Sequence, residues 1–290
     1  MPNNTILTPD IIAREALMVL RNNAVMANLV HRDYSSDFVG AVGDTITVRK
    51  PATFVANEYT GSITVQDATE TGVEVKMDKH LDVSFAVTAK QMTMDIADFS
   101  AQLLVPAMQA FADKVDKYLL ALEAEATSRH AHASGAIAPA DMIAARKFLT
   151  KNAAPLADRR FVVGADAEAD LLGSELFVSA EKVGDTAALR EASLGRKFGM
   201  DVYVDQNISK GDGYTPSIAF HKNAMALVTR PLALPQGAAK AAIMNYDGFG
   251  LRVVYGYDMN TKTDTISIDM LCGVKLLDDK LIAVVADSRA

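Results

Sequence analysis

Tryptophan is absent, cysteine occurs once, and Phe and Tyr bring the aromatic share to only 7% of 290 residues. The lone Cys272 excludes an intrachain disulfide and fits a reducing compartment. Set between Leu271 and Gly273 in a β-like run, it reads as a small buried apolar side chain. With 17 glycines and 9 prolines the composition is neither collagen-like nor low-complexity. Cations are the minority: 29 Lys+Arg against 36 Asp+Glu leave a formal net charge of −7. Tight wrapping of nucleic acid needs a basic stripe that neutralises phosphates and releases counterions, and the sequence shows none. Long apolar runs are missing too. Leu281 to Ala286 is typical of them, far short of the ~20 residues that cross a bilayer. The first residues lack the basic-then-apolar order of a targeting segment, so a soluble chain, intracellular at synthesis and without membrane contact, is expected.

What is plentiful is apolar side chain: half of all residues, with a mean hydropathy of +0.10. That excludes intrinsic disorder. Without membrane spans the surplus has two outlets, a large core or extensive subunit interfaces. The length suits two packed units or one large one.

The first element is expected to be a helix, with Thr8 as N-cap, Pro9 at the first helical position and an apolar stripe of Ile12, Ala16, Val19 and Leu20. A strand follows at Thr45–Arg49. From Val73 the alternation is long: Val73, Val75, Met77, Leu81, Val83, Phe85 and Val87 share one parity, broken only at Lys79. A strand of roughly 15 residues would reach on the order of 50 Å, against a usual length of about 5–6 residues. That predicts a β-ribbon leaving the domain, with Lys79 near the point where ribbon passes into body. The strongest helix carries Leu104, Met108, Phe111, Val115, Tyr118 and Leu122 on one face, with Asp113, Lys114, Asp116 and Lys117 on the others. Its expected course is from a cap at Ser100 to about Ser128, with Pro106 in the first turns. Residues 138–245 alternate short helices (near Pro139–Lys151, Asp166–Leu172 and Thr186–Leu194) with strands (Phe161–Val163, Val202–Val204, and that of Ile218 and Phe220). The chain ends in β-structure at Leu251–Tyr257, Ile266–Cys272 and Leu281–Val285.

Candidate chemistry is sparse. His130 and His132 invite a metal reading, but no third ligand is marked by spacing, and histidines at a helix end also suit its dipole. Asp166, Glu168 and Asp170 open a helix, where negative charge is stabilising without any acid–base role. Gly211-Asp212-Gly213 lacks the Lys-Ser/Thr ending of a phosphate loop, and no nucleophile elbow, zincin or dinucleotide motif occurs. The expectation is an α+β protein with no catalytic, metal or cofactor-binding residue, not an enzyme. Val73, Val75 and Met77 are the candidates for subunit contact, resting on a neighbour, while Leu81, Val83 and Phe85 face the home core.

The order of parts, with four strings in sequence, carries a resemblance. TPDIIARE over Thr8–Glu15, GDTITVRKP over Gly43–Pro51, LGRKFGMDVY over Leu194–Tyr203 and AFHKNA over Ala219–Ala224 are similar to the podovirus-type coat-protein group, typified by the Salmonella temperate podophage. Nearly the whole chain resembles a tailed-bacteriophage major capsid protein of the Hong Kong 97-like fold. The resemblance implies an N-terminal arm (1–35), an extended loop (44–88), a peripheral domain (89–135 with 250–290) and an axial domain (136–249). It implies pentamers and hexamers closing into an icosahedral shell around double-stranded DNA, touched weakly and without sequence preference. A separate scaffolding protein, a portal protein and a decoration protein are the implied partners. The virion capsid is the implied location, with host cytoplasm during assembly. Unlike the Salmonella-type protein, the 136–249 region has little room for an inserted domain. Two alternatives remain open from the sequence: an encapsulin-like nanocompartment shell, and an α/β enzyme or ligand-binding unit with oligomerisation arms.

Overall fold

The computed structural model describes residues 14–16, 25–36, 45–50, 54–59, 61, 63, 65–68, 70–88, 103–131, 137–178, 194–208, 215–236, 240–246 and 249–286. The expected first helix, apart from helical Arg14–Ala16, lies outside them. So do Ser100, His132, the helix near Thr186–Leu194 and the loop 210–214.

The spine of the molecule is helix α1 (Val105–Ala121), with Pro106 in its first turn, where its missing N–H costs nothing. Met108, Phe111, Val115, Leu119 and Leu120 are buried along one side. The helix ends earlier than the sequence suggests, tightening into a 3-10 turn at Leu122–Glu125. Asp116 departs from expectation. It belongs to the charged faces by periodicity, yet its side chain is 1% exposed, because the segment around Met26 lies over it.

Three sheets surround the helix. β1 (Thr45–Lys50) and β2 (Thr71–Lys76) form a two-stranded antiparallel ribbon in the register Thr45↔Lys76 to Lys50↔Thr71. β3 (Lys79–Thr88) belongs to a different, five-stranded sheet. There it pairs with the long β12 (Thr263–Leu276), which also pairs with β11 (Phe249–Asp258) and, toward its end, with β9 (Met225–Arg230). β10 (Lys240–Tyr246) closes that sheet beside β11. The single 15-residue strand expected from the alternation is therefore two strands. They part at Met77–Asp78, and β3 starts at Lys79, whose ammonium bonds Asp78 and sits 5.1 Å from the Tyr118 ring centroid. The parity runs through the break because both strands bury the same side of the chain.

The third sheet has six strands in the order β4 (Arg129–Ala131), β13 (Ile282–Ala286), β8 (Ser217–His221), β5 (Arg159–Val163), β7 (Met200–Val204), β6 (Arg196–Lys197). Most pairs are antiparallel, with β13–β4 and β5–β7 parallel. It is a wall between two cores. Val162, Ile218, Phe220, Ile282 and Val284 face α1 and the five-stranded sheet. Their neighbours Phe161, Val163, Ala219, Ala283 and Val285 face α2 (Pro139–Lys151) and α3 (Ala165–Leu172). A strand buried on both faces needs apolar residues at both parities, which is why Ile282–Ala286 shows no alternation.

Both large sheets draw strands from more than one stretch of the sequence. β13, from the 250–290 segment, and β4, from 89–135, lie in the six-stranded sheet with the 136–249 strands. β9 and β10, from 136–249, lie in the five-stranded one.

Candidate assembly surfaces

The ribbon is anchored at its base. Val48, Val75 and Met77 pack with Ala226, Val228 and Leu277 in a third core, with Tyr34, Ile46 and Val73 against its rim. Val75 is wholly buried, Met77 is 7% exposed and Val73 is half-buried. Thus Val75 and Met77, two of the three contact candidates, are covered within their own chain. The cause is a close crossing of β2 over β12: a Cβ placed on Gly273 would lie 2.3 Å from the Lys76 carbonyl oxygen. Glycine alone lets the two backbones meet, and the meeting buries the ribbon's apolar face against β9 and β12.

Beyond that base, five of the twelve exposed large apolar side chains among the described residues lie together at the far end of the ribbon, while the others, such as Leu156 (65% exposed), Ile143 and Leu176, are dispersed. Phe54 (64% exposed), Val55 (69%), Tyr59 (74%), Ile63 (81%) and Val65 (83%) all lie on the loop between β1 and β2. Hydrophobic periodicity could not find them, since the described residues among 54–68 are in neither helix nor strand. The available signal was five large apolar residues within twelve positions of a segment that follows Pro51. A side-chain clamp ties the two limbs of this loop: Gln66 accepts from the Val55 N–H (2.9 Å) and donates to its carbonyl. One glutamine amide replaces a rung of the ladder, so the loop is held in shape without a partner strand.

A second exposed tip is the β11–β12 hairpin, with Tyr257 and Met259 mostly exposed. Asp258 shapes it, accepting from the Asn260 N–H (2.8 Å) and the Thr261 hydroxyl (2.9 Å). These bonds to the ionised form hold its carboxyl below the ordinary range.

The other candidates among the described residues have structural partners. His130 lies 3.5 Å from Asp141 Oδ1, and Asp141 also accepts from the Ala138 N–H at the start of α2 (2.9 Å). No cluster of three or more His, Cys, Asp or Glu able to hold a metal occurs among the described residues. Asp170 accepts from the Ile137 N–H (3.2 Å) and Asp166 from the Thr215 hydroxyl (3.4 Å), so both carboxylates join α3 to neighbouring chain. Cys272 is fully buried, and burial pushes its thiol up to about 12. Among the described residues no helix is long and apolar enough to cross a membrane.

No protein-family model matches the sequence, and no curated protein matches it. Solved structures do. One from Mycobacterium phage Che8 superimposes with a TM-score of 0.69 at 22% identity, over 90% of this chain and 90% of that one. The asymmetric unit of the bacteriophage PhiM1 mature capsid gives 0.61 at 12% identity, over 91% and 86%. The chain has the Hong Kong 97-like capsid fold. The same fold extends outside phages. The holo-SrpI encapsulin complex from Synechococcus elongatus PCC 7942 matches with a TM-score of 0.53 at 11% identity, over 99% of this chain and 92% of that one.

Proposed function

We propose that the chain is the major shell subunit of a tailed bacteriophage, of the podovirus type, assembling through pentamers and hexamers into an icosahedral capsid around double-stranded DNA. The observation that carries this reading is the extended-loop tip: five large apolar side chains, each at least 64% exposed, on a clamped loop of a chain with the capsid fold. Fully burying such a side chain is worth about 1.5–3 kcal/mol, and a lone two-stranded ribbon is marginal in water. The tip gains that burial by lying on the next copy of the chain. Each subunit gives the contact once and receives it once, and such head-to-tail contacts close into rings. The net charge of −7 keeps attraction to packaged DNA weak and without sequence preference. A scaffolding protein during assembly, a portal protein and a decoration protein complete the proposed set of partners. Assembly takes place in the host cytoplasm, and the finished protein resides in the virion.

The second reading, an encapsulin-like compartment, is favoured by the near-complete coverage of the SrpI structure. Negative-stain microscopy of the expressed full chain, with and without a co-expressed scaffold candidate, tests the shell. Closed particles support it, and a monomer under every condition refutes it. Terminase and portal genes beside the coding sequence distinguish virus from compartment.

A further inference from the structure

Two carboxylic acids are buried where the N-terminal segment crosses the spine helix, and the charge of one acts on the other. Asp116, on α1, is 1% exposed, and Asp205, just after β7, is 2% exposed. Asp116 accepts the backbone N–H of Val25 (3.0 Å) on one oxygen and that of Ala27 (3.3 Å) on the other. Asp205 accepts from the Asn207 N–H (2.8 Å) through Oδ1, while its buried Oδ2 has no hydrogen-bond partner. Asp113, one turn earlier on α1, adds a third negative group and holds the Asn207 amide (3.4 Å). Its charge acts on Asp205, as that of Asp205 acts on Asp116. The segment itself offers backbone N–H groups at this point. Its own nearest charged side chains, His31 and Arg32, are directed elsewhere, to Asp33 and to the Phe249 ring, and Arg160 of β5 donates to the Leu29 carbonyl at the far end of the segment.

We propose that Asp116 and Asp205 form a proton-dependent latch for the segment Val25–Leu29, closed while the pair holds a proton and loosened when both acids ionise. Two buried carboxyls that act on one another cannot both be charged at low cost. Opening the latch hydrates them. The far end of the segment stays on β9 through the His31 N–H to Met225 carbonyl bond (3.1 Å) and the Leu227 N–H to His31 carbonyl bond (2.9 Å). The released part is thus the stretch that leads to the N-terminal arm. The latch is internal to one chain and stands whether or not the chain builds shells.

Burial first, and the charge of Asp205 second, raise the Asp116 carboxyl to about 7. A carboxyl raised on closing contributes stability that is fully present below its ordinary value near 4 and lost as the pH rises to 7. For one such group, linkage gives a roughly 50-fold fall in the closed-to-open ratio between pH 5 and pH 7. His31 titrates in the opposite sense: burial lowers it, so it adds stability over the same window.

Hydrogen exchange of the full chain, read on the peptide spanning residues 25–29 and corrected for intrinsic rates, tests the latch. Protection in the wild type should fall by more than tenfold from pH 5 to pH 7. Asp116→Asn, neutral at both values, should remove the fall. Asp205→Asn, which keeps an acceptor for the Asn207 N–H, should move it to lower pH. If Asp116→Asn fails to fold, the Asp205→Asn shift decides. Equal wild-type protection at pH 5 and pH 7 overturns the proposal. So does a full wild-type fall in Asp116→Asn, or an unshifted profile in Asp205→Asn.

Discussion

Gly273 shows how much can depend on an absent side chain. Its position inside an alternating run makes it look like an ordinary strand residue, and nothing local distinguishes it from Cys272 beside it. The requirement is tertiary: β2 crosses β12 there at a distance no Cβ tolerates. Gly273→Val should force the ribbon base outward and cost roughly 1–3 kcal/mol, the usual range for overpacking. Equilibrium denaturation of the full chain checks this. An unchanged midpoint would mean that the crossing is not tight. Asp116 makes the complementary point. Helical periodicity placed it on a solvated face, and only the packing of a segment 89 residues away in sequence buries it.

At the scale of elements the outcome divides by range of interaction. Helix α1 was legible because Met108, Phe111, Val115 and Leu122 repeat at helical spacing and all are buried. Phe111, 1% exposed, should cost about 3–5 kcal/mol on truncation to alanine. A melting temperature unaltered by Phe111→Ala would place that face on the surface. The ribbon was legible in outline, and Lys79 marked its junction with the body because a charge there interrupts the shared parity. Which of its residues are free was not legible. Alternation states that Val75 and Met77 are covered, not whether the cover comes from the same chain or another. Since the cover is Val228 and Leu277, Met77→Asp should destabilise the chain itself, by burying a carboxylate without a partner. Circular dichroism during thermal unfolding checks this, and a fully stable Met77→Asp chain would return that side chain to the list of subunit contacts.

Over the whole molecule, the α+β class and the order ribbon, spine helix, mixed α/β stretch and closing strands were legible, and the sheet that each strand joins was not. β13 crosses into the six-stranded sheet because Ile282–Ala286 can be buried on both faces at once, between two cores. No cut along the sequence reproduces that arrangement. The apolar surplus of the composition is likewise resolved only in three dimensions: among the described residues much of it fills three cores, and the largest exposed group lies at the ribbon tip.

That tip is where the shell account is most exposed. Sedimentation velocity of the wild-type chain and of an Ile63→Asp, Val65→Asp double variant, under identical assembly conditions, tests it directly. Both side chains are more than 80% exposed within the subunit, so the variant should melt at the wild-type temperature. The account predicts megadalton particles from the wild type and only free subunits or isolated capsomers from the variant. Full-sized particles from the variant would contradict docking of the tip on a neighbouring copy, and a wild type that never leaves the monomer would contradict the shell itself.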